Sequence, residues 1–396
     1  MSSHLKTSKS LIFPLLLVMY EIATYLSNDM YLPALPEMIH DLSLSTREAQ
    51  WTLTTWFIGT ASLPLIMGVI SDRYGRRPVL LSGGVVYILS TLLCAFATNA
   101  SNLLIMRFVE GAAIPSMMVA GYACIHELYD RNEAIRILAL MSAITVLAPA
   151  LGPLFGSFIL LASGWRGIFW VIAVLSVISV VSLYYWMPET LPAEKREPVH
   201  FISIFKQYGR VLTNKHFMLL VFVIGFIFTG FIVWISAGPL LVIQTFHFSP
   251  MAFGWIQAFI FAAFILANFL VKHLLEKIGV QRLIWLGIVI TLCGGILLGV
   301  FAFFLPDALS LFIIAMTIYS FGAAFCFPPL NRCIIEASDE PMGVRVALFT
   351  VLWTSFAVLG SLIASIYFDG SIPSTAYPIT LSIVLSCLLM MVAARK

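Results

Sequence analysis

Four ionisable residues stand inside long apolar stretches: Glu21, Asp29, Arg107 and Glu110. In hydrocarbon a charged Asp or Arg costs about 2.5–3.5 kcal/mol on insertion scales, so each is a functional candidate by default. Glu21, Tyr25 and Asn28 follow an i, i+4, i+7 spacing and share one helical stripe, with Asp29 beside it. Eight residues at a rise of 1.5 Å separate Glu21 from Asp29 by about 12 Å. They cannot form one hydrogen-bonded dyad and read as two sites of one cavity. Glu110 follows Arg107 at i+3 and can pair with it locally. That pair can serve coupling, or it can simply pin its helix. Tyr25, Asn28 and Tyr122 could offer hydrogen bonds and ring faces, or ordinary packing.

The chain that must hold these groups has 396 residues, 61% hydrophobic and 10% charged, with a net charge of +3. Soluble domains carry about 25% charge, so this composition describes an integral membrane protein. It leaves no basic surface for nucleic acid. Apolar runs long enough to cross a bilayer fall at 11–33, 47–70, 79–98, 102–125, 134–162, 165–187, 216–246, 251–275, 282–304, 308–335, 341–368 and 372–394. Twelve transmembrane helices place nineteen of the 22 Lys and Arg on one side, from Lys6 and Lys9 to Arg395 and Lys396. Arg47 and Arg166 lie opposite, and Arg107 lies within a span. The positive-inside rule then puts both termini in the cytoplasm. The six cysteines are scattered, without metal spacing or a disulfide pattern, and read as small hydrophobes.

The polar interval near 188–215 divides the chain into an N-terminal six-helix bundle (1–190), a cytoplasmic linker (191–215) and a C-terminal six-helix bundle (216–396). A repeat supports the division. Asp72-Arg73-Tyr74-Gly75 with Gly83 lines up with Glu276-Lys277-Ile278-Gly279 and Gly287, all offset by 204 residues. Two duplicated halves of this kind form one known transporter architecture.

Three motifs sharpen the expectation. Gly68-Val69-Ile70-Ser71-Asp72-Arg73-Tyr74-Gly75-Arg76-Arg77-Pro78 closely resembles the signature between spans two and three of the major facilitator superfamily. Leu103-Leu104-Ile105-Met106-Arg107-Phe108-Val109-Glu110-Gly111 resembles its fourth-span motif, with Glu110 where the family usually has Gln. Ala148-Pro149-Ala150-Leu151-Gly152-Pro153-Leu154-Phe155-Gly156 resembles the fifth-span motif of its drug/proton antiporters. The first span around Glu21 and Asp29, Gly121-Tyr122-Ala123, and Arg332 with Ala337-Ser338-Asp339 are similar to a multidrug branch of that family.

The resemblance implies an all-α major facilitator fold in a bacterial cytoplasmic (inner) membrane. It implies proton-coupled antiport of lipophilic drugs, cationic and neutral. Asp29, Glu21 and Arg107 would carry the proton coupling; Glu21, Tyr25, Asn28, Asp29 and Tyr122 would bind substrate in an aromatic and Met-lined pocket. The loop with Gly68, Asp72, Arg73, Gly75, Arg76 and Arg77 would act as a conformational latch, Asp72 pairing with basic groups and capping neighbouring helix ends. Pro149, Gly152, Pro153 and Gly156 would let span five approach a neighbour closely. Roles for Glu110 and Arg332 stay open. No cofactor or metal is expected, the proton gradient being the drive. Expected partners are small lipophilic substrates, protons and membrane lipid, for a monomer that does not bind nucleic acid. The absence of a P-loop, HExxH or GxSxG string argues against ATP drive and against an enzyme. A dedicated metabolite or siderophore exporter, or proton-coupled uptake, would suit the same fold.

Overall fold

The computed structural model describes residues 11–196 and 201–394; Lys6, Lys9, Arg395, Lys396 and the side chains of Arg131 and Lys195 lie outside what is described. Among the described residues the secondary structure is helical throughout. The helices are α1 (Ile12–Asp29), α2 (Leu35–Asp41), α3 (Thr46–Ser62), α4 (Pro64–Tyr74), α5 (Arg76–Ala95), α6 (Ala100–Leu128) and α7 (Arg131–Trp186). After them come α8 (Phe201–Thr213), α9 (Lys215–Pro239), α10 (Pro250–Ile278), α11 (Val280–Phe304), α12 (Leu309–Glu336), α13 (Met342–Tyr367) and α14 (Ile372–Ala393).

Among the described residues, nine helices are long and apolar enough to cross a membrane, or ten when α3 and α4, bent by 48°, count as one span. The twelve expected spans are compatible with this. The 56 residues of α7 cover expected spans five and six, and its backbone breaks at Gly164 with φ 69°. α1 covers the first expected span but is not among the nine, because its 18 residues include Glu21, Thr24, Ser27, Asn28 and Asp29.

The turn at Gly164 is tied down from α2. Glu37 accepts a hydrogen bond from the Trp165 backbone N–H at 3.1 Å. Asp41 accepts from the Trp165 indole at 3.0 Å and pairs with Arg166 at 3.1 Å. These contacts, the indole bond first, hold the Asp41 carboxyl below its usual range. The repeated sequence has a repeated backbone. Gly75 (φ 101°) and Gly279 (φ 79°) each join two long helices in a conformation that favours glycine. Within the expected linker, α8 touches helices from both ends of the chain. The Tyr208 hydroxyl donates to Leu65 O in α4 at 3.1 Å, and Arg210 pairs with Glu340 just ahead of α13 at 3.1 Å.

Candidate functional site

α1 carries the polar stripe because its spacing puts Glu21, Thr24, Ser27 and Asn28 on the side turned into the protein, and all are buried. The Tyr122 hydroxyl, from α6, donates to Glu21 Oε1 at 2.7 Å. Among the described residues the other Glu21 oxygen, Oε2, is buried without a hydrogen-bond partner. Asp29, at the last residue of α1, accepts from Asn28 Nδ2 at 3.3 Å. Its place is set by α7. A Cβ on Gly152 would fall 2.7 Å from the Asp29 Cβ, and one on Gly156 would fall 1.8 Å from Met30 O. Two glycines one turn apart thus let the end of α1 lie directly against α7. Pro149 and Pro153 lie in the same stretch of that helix.

Arg107 and Glu110 are both 0% exposed, and their side chains meet at 2.7 Å. Arg107 also donates to Ser27 O at 3.1 Å and Thr52 O at 3.4 Å, bracing α1 against α3. Its guanidinium lies 4.4 Å from the centre of the Tyr31 ring. The second Glu110 oxygen accepts from the Thr91 hydroxyl at 2.8 Å. Among the described residues no ion pair joins Arg107 to Asp29; the salt bridge of Arg107 goes to Glu110.

A cavity of about 590 Å³ lies beside this stripe. Thr24 and Tyr25 of α1, Trp56, Phe57 and Thr60 of α3, and Ile114 and Met118 of α6 line one side. The opposite wall is aromatic, with Phe228, Phe264, Phe327, Phe349 and Trp353, and Asn268 and Asn331 are polar points on it. Phe228 and Trp353 stack with centroids 4.1 Å apart and planes at 18°. Of the expected binding set, Tyr25 lines this cavity; Glu21, Asn28, Asp29 and Tyr122 are buried or half-buried behind the lining. The expected Met lining reduces to Met118. A second cavity of about 720 Å³, between α9, α13 and α14, contains none of the expected residues.

The main cavity lies toward the end of the bundle that bears the Asp72–Arg77 loop. At the other end, Arg47 Nε of α3 donates to Ser365 O of α13 at 3.3 Å, and Thr54 and Ser361 hydroxyls meet at 2.6 Å. The Ser157 hydroxyl of α7 donates to Pro250 O of α10 at 2.9 Å. These contacts join helices of the first half to helices of the second half there.

In the loop, Asp72 is 59% exposed and pairs with Arg76 at 2.6 Å. Arg76 also reaches Glu127 at the end of α6, at 3.1 Å. The helix-capping role expected of Asp72 falls instead to Glu189, which accepts from the backbone N–H groups of Arg76 (3.0 Å) and Arg77 (3.3 Å) at the start of α5. Sequence reasoning missed Glu189, because a residue more than a hundred positions away leaves no local capping pattern. Arg73 stacks over its neighbour Tyr74, and Gly68 has ordinary room beside Val119. Arg332 is 71% exposed and pairs with Glu336 at 2.8 Å, so it does not reach inward; its neighbour Asn331 does.

Residues 17–393 match the family model described as Major Facilitator Superfamily. The chain is 28% identical to multidrug resistance protein MdtM of Salmonella typhimurium, over 91% of this chain and 87% of that protein. It is 29% identical to the chloramphenicol resistance protein CraA of Acinetobacter baumannii, over 90% of this chain and 86% of that one. It is also 29% identical to the multidrug transporter MdfA of Yersinia pestis, over 90% and 87%. In fold it is similar to a bacterial homolog of the human lysosomal transporter Spinster, solved in an inward-facing and unoccupied conformation (TM-score 0.73, 16% identity, 99% of this chain and 96% of that one). A POT family transporter in complex with 5-aminolevulinic acid is similar too, with TM-score 0.77, 12% identity, and 97% and 96% coverage.

Proposed function

Because the chain belongs to the Major Facilitator Superfamily across residues 17–393, we propose that it exports lipophilic drugs, cationic and neutral, in exchange for protons. It does so as a multi-pass monomer in a bacterial inner membrane, with both termini in the cytoplasm and without a cofactor. The observation that carries this reading is the aromatic cavity of about 590 Å³ set beside an acidic stripe on α1. The names of its relatives, multidrug resistance and chloramphenicol resistance proteins, support the substrate class.

The cycle follows from charge. With the cavity open to the cytoplasm, ionised Glu21 and Asp29 draw a lipophilic cation against Tyr25 and the aromatic wall. The bundles 1–190 and 216–396 then rock about the site, the linker 191–215 following. From the outer side, protons neutralise the carboxylates and release the cation. The protonated carrier returns. Each charge moved inward across 100 mV supplies about 2.3 kcal/mol. A neutral drug exchanges in the same way if its binding and protonation exclude one another. The Asp72–Arg77 loop, braced by Glu127 and Glu189, biases which end is closed.

The test uses proteoliposomes loaded at acid pH in a neutral bath. Adding tetraphenylphosphonium or chloramphenicol is expected to release protons from the lumen. A gradient untouched by either compound would overturn the reading.

A further inference from the structure

We infer that Glu110 holds Arg107 in an internally neutral buried pair and thereby sets how tightly Asp29 binds its proton. Glu110 is a positioning residue here, since it acts through Arg107. The inference rests on the reading of Asp29 as a proton site.

The geometry is specific. Both oxygens of Glu110 are committed, one to Arg107 at 2.7 Å and one to Thr91 at 2.8 Å. Arg107 Nη1 donates to Glu110 and to the Ser27 carbonyl two residues before Asp29, and Nε donates to the Thr52 carbonyl; among the described residues Nη2 is buried without a hydrogen-bond partner. Among the described residues Asp29 receives a side-chain hydrogen bond from the Asn28 amide alone. A lone buried arginine near a carboxylate favours its ionised form, typically by one to three pH units. Paired to Glu110, the same arginine presents a dipole whose field falls off faster than that of a single charge. Glu110 therefore offsets part of the positive charge that Arg107 presents to Asp29, which favours proton uptake there.

The titratable groups around the pair are Tyr20 of α1, Tyr31 after it, and Tyr87 and Cys94 of α5. Tyr25 faces Asp29 from its own helix. The described contacts of Arg107 from α3 and α7 are Thr52, Trp56 and Phe169, none of which titrates. Glu110 is thus the anion closest to Arg107 in this network.

The test follows the protonated-carboxyl infrared band of the purified protein in lipid nanodiscs from pH 5 to 9. Asp29 is identified as the titrating component that Asp29→Asn removes. Glu110→Gln keeps the shape and a hydrogen bond to Arg107 but deletes the charge, and should lower the Asp29 midpoint by about one pH unit, tenfold in proton affinity. Glu110→Asp keeps the charge and should leave the midpoint near that of the wild type. Arg107→Gln leaves the fully buried Glu110 without its cation, so Glu110 should take up a proton and add a second protonated-carboxyl component, which keeps the ion pair testable if Glu110→Gln fails to fold. A midpoint unmoved or raised in folded Glu110→Gln, or no added carboxyl component in Arg107→Gln, overturns the inference. So does the absence of any Asp29 component. No substrate enters the assay, so failure of drug antiport in proteoliposomes would leave this result intact and would count against the transport reading alone.

Discussion

At the residue scale, Glu21 and Asp29 share a helix but not an environment. Among the described residues Glu21 is held by Tyr122 and has one oxygen without a hydrogen-bond partner; Asp29 lies at the helix end against Gly152. The proposed division of labour follows. Glu21→Gln should weaken tetraphenylphosphonium binding about tenfold or more, roughly 1.4 kcal/mol, and chloramphenicol binding much less. Asp29→Asn should cut coupled transport of both compounds. Equal loss for the two compounds in Glu21→Gln, measured by equilibrium binding, would contradict the division. The acidic stripe was legible in the sequence because carboxylates are rare and costly in apolar runs. An aromatic wall was expected, but which residues form it was not legible. Phe303 and Phe304 of α11 are 70% and 71% exposed, whereas Phe327 and Trp353 line the cavity. In a membrane helix, phenylalanines facing lipid and facing a cavity look alike in sequence.

At the scale of elements, α1 and α7 meet because two positions have no side chain. Gly156→Ala would drive a methyl into the Met30 carbonyl and should destabilise the protein by about 1–3 kcal/mol, while displacing Asp29. Gly209→Ala, in α8 where nothing lies within 4 Å of an added Cβ, should be neutral or slightly stabilising. Thermal unfolding in detergent compares the two, and equal behaviour would remove the packing argument. The sequence located this stretch through its Gly and Pro spacing but could not say which helix it receives. That partner lies more than a hundred residues away, and spacing within one helix carries no record of it. The break at Gly164 was legible as the gap between two apolar runs. Its clamp by Glu37 and Asp41 depends on the tertiary approach of α2.

At the scale of the whole molecule, contacts join α3 to α13 and α7 to α10 at one end. In the proposed cycle these must part for release. Thr54 and Ser361 hydroxyls lie 2.6 Å apart, close enough for cysteines there to be bridged. In a background with the six native cysteines replaced, oxidised Thr54→Cys/Ser361→Cys should transport at least about tenfold more slowly and recover on reduction. It should still bind tetraphenylphosphonium from the open end. Full transport by completely cross-linked protein would show that this seam does not open.

The aromatic wall and the acidic stripe have a further consequence when viewed through heredity. Phe228, Phe264, Phe327, Phe349 and Trp353 come from α9, α10, α12 and α13, whereas Glu21 and Asp29 come from α1. A single codon change in the wall can reshape which molecules fit without altering an acidic group. Under the proposed function, exposure to a new toxic compound can therefore select a changed repertoire while the proposed energy-coupling groups are inherited intact.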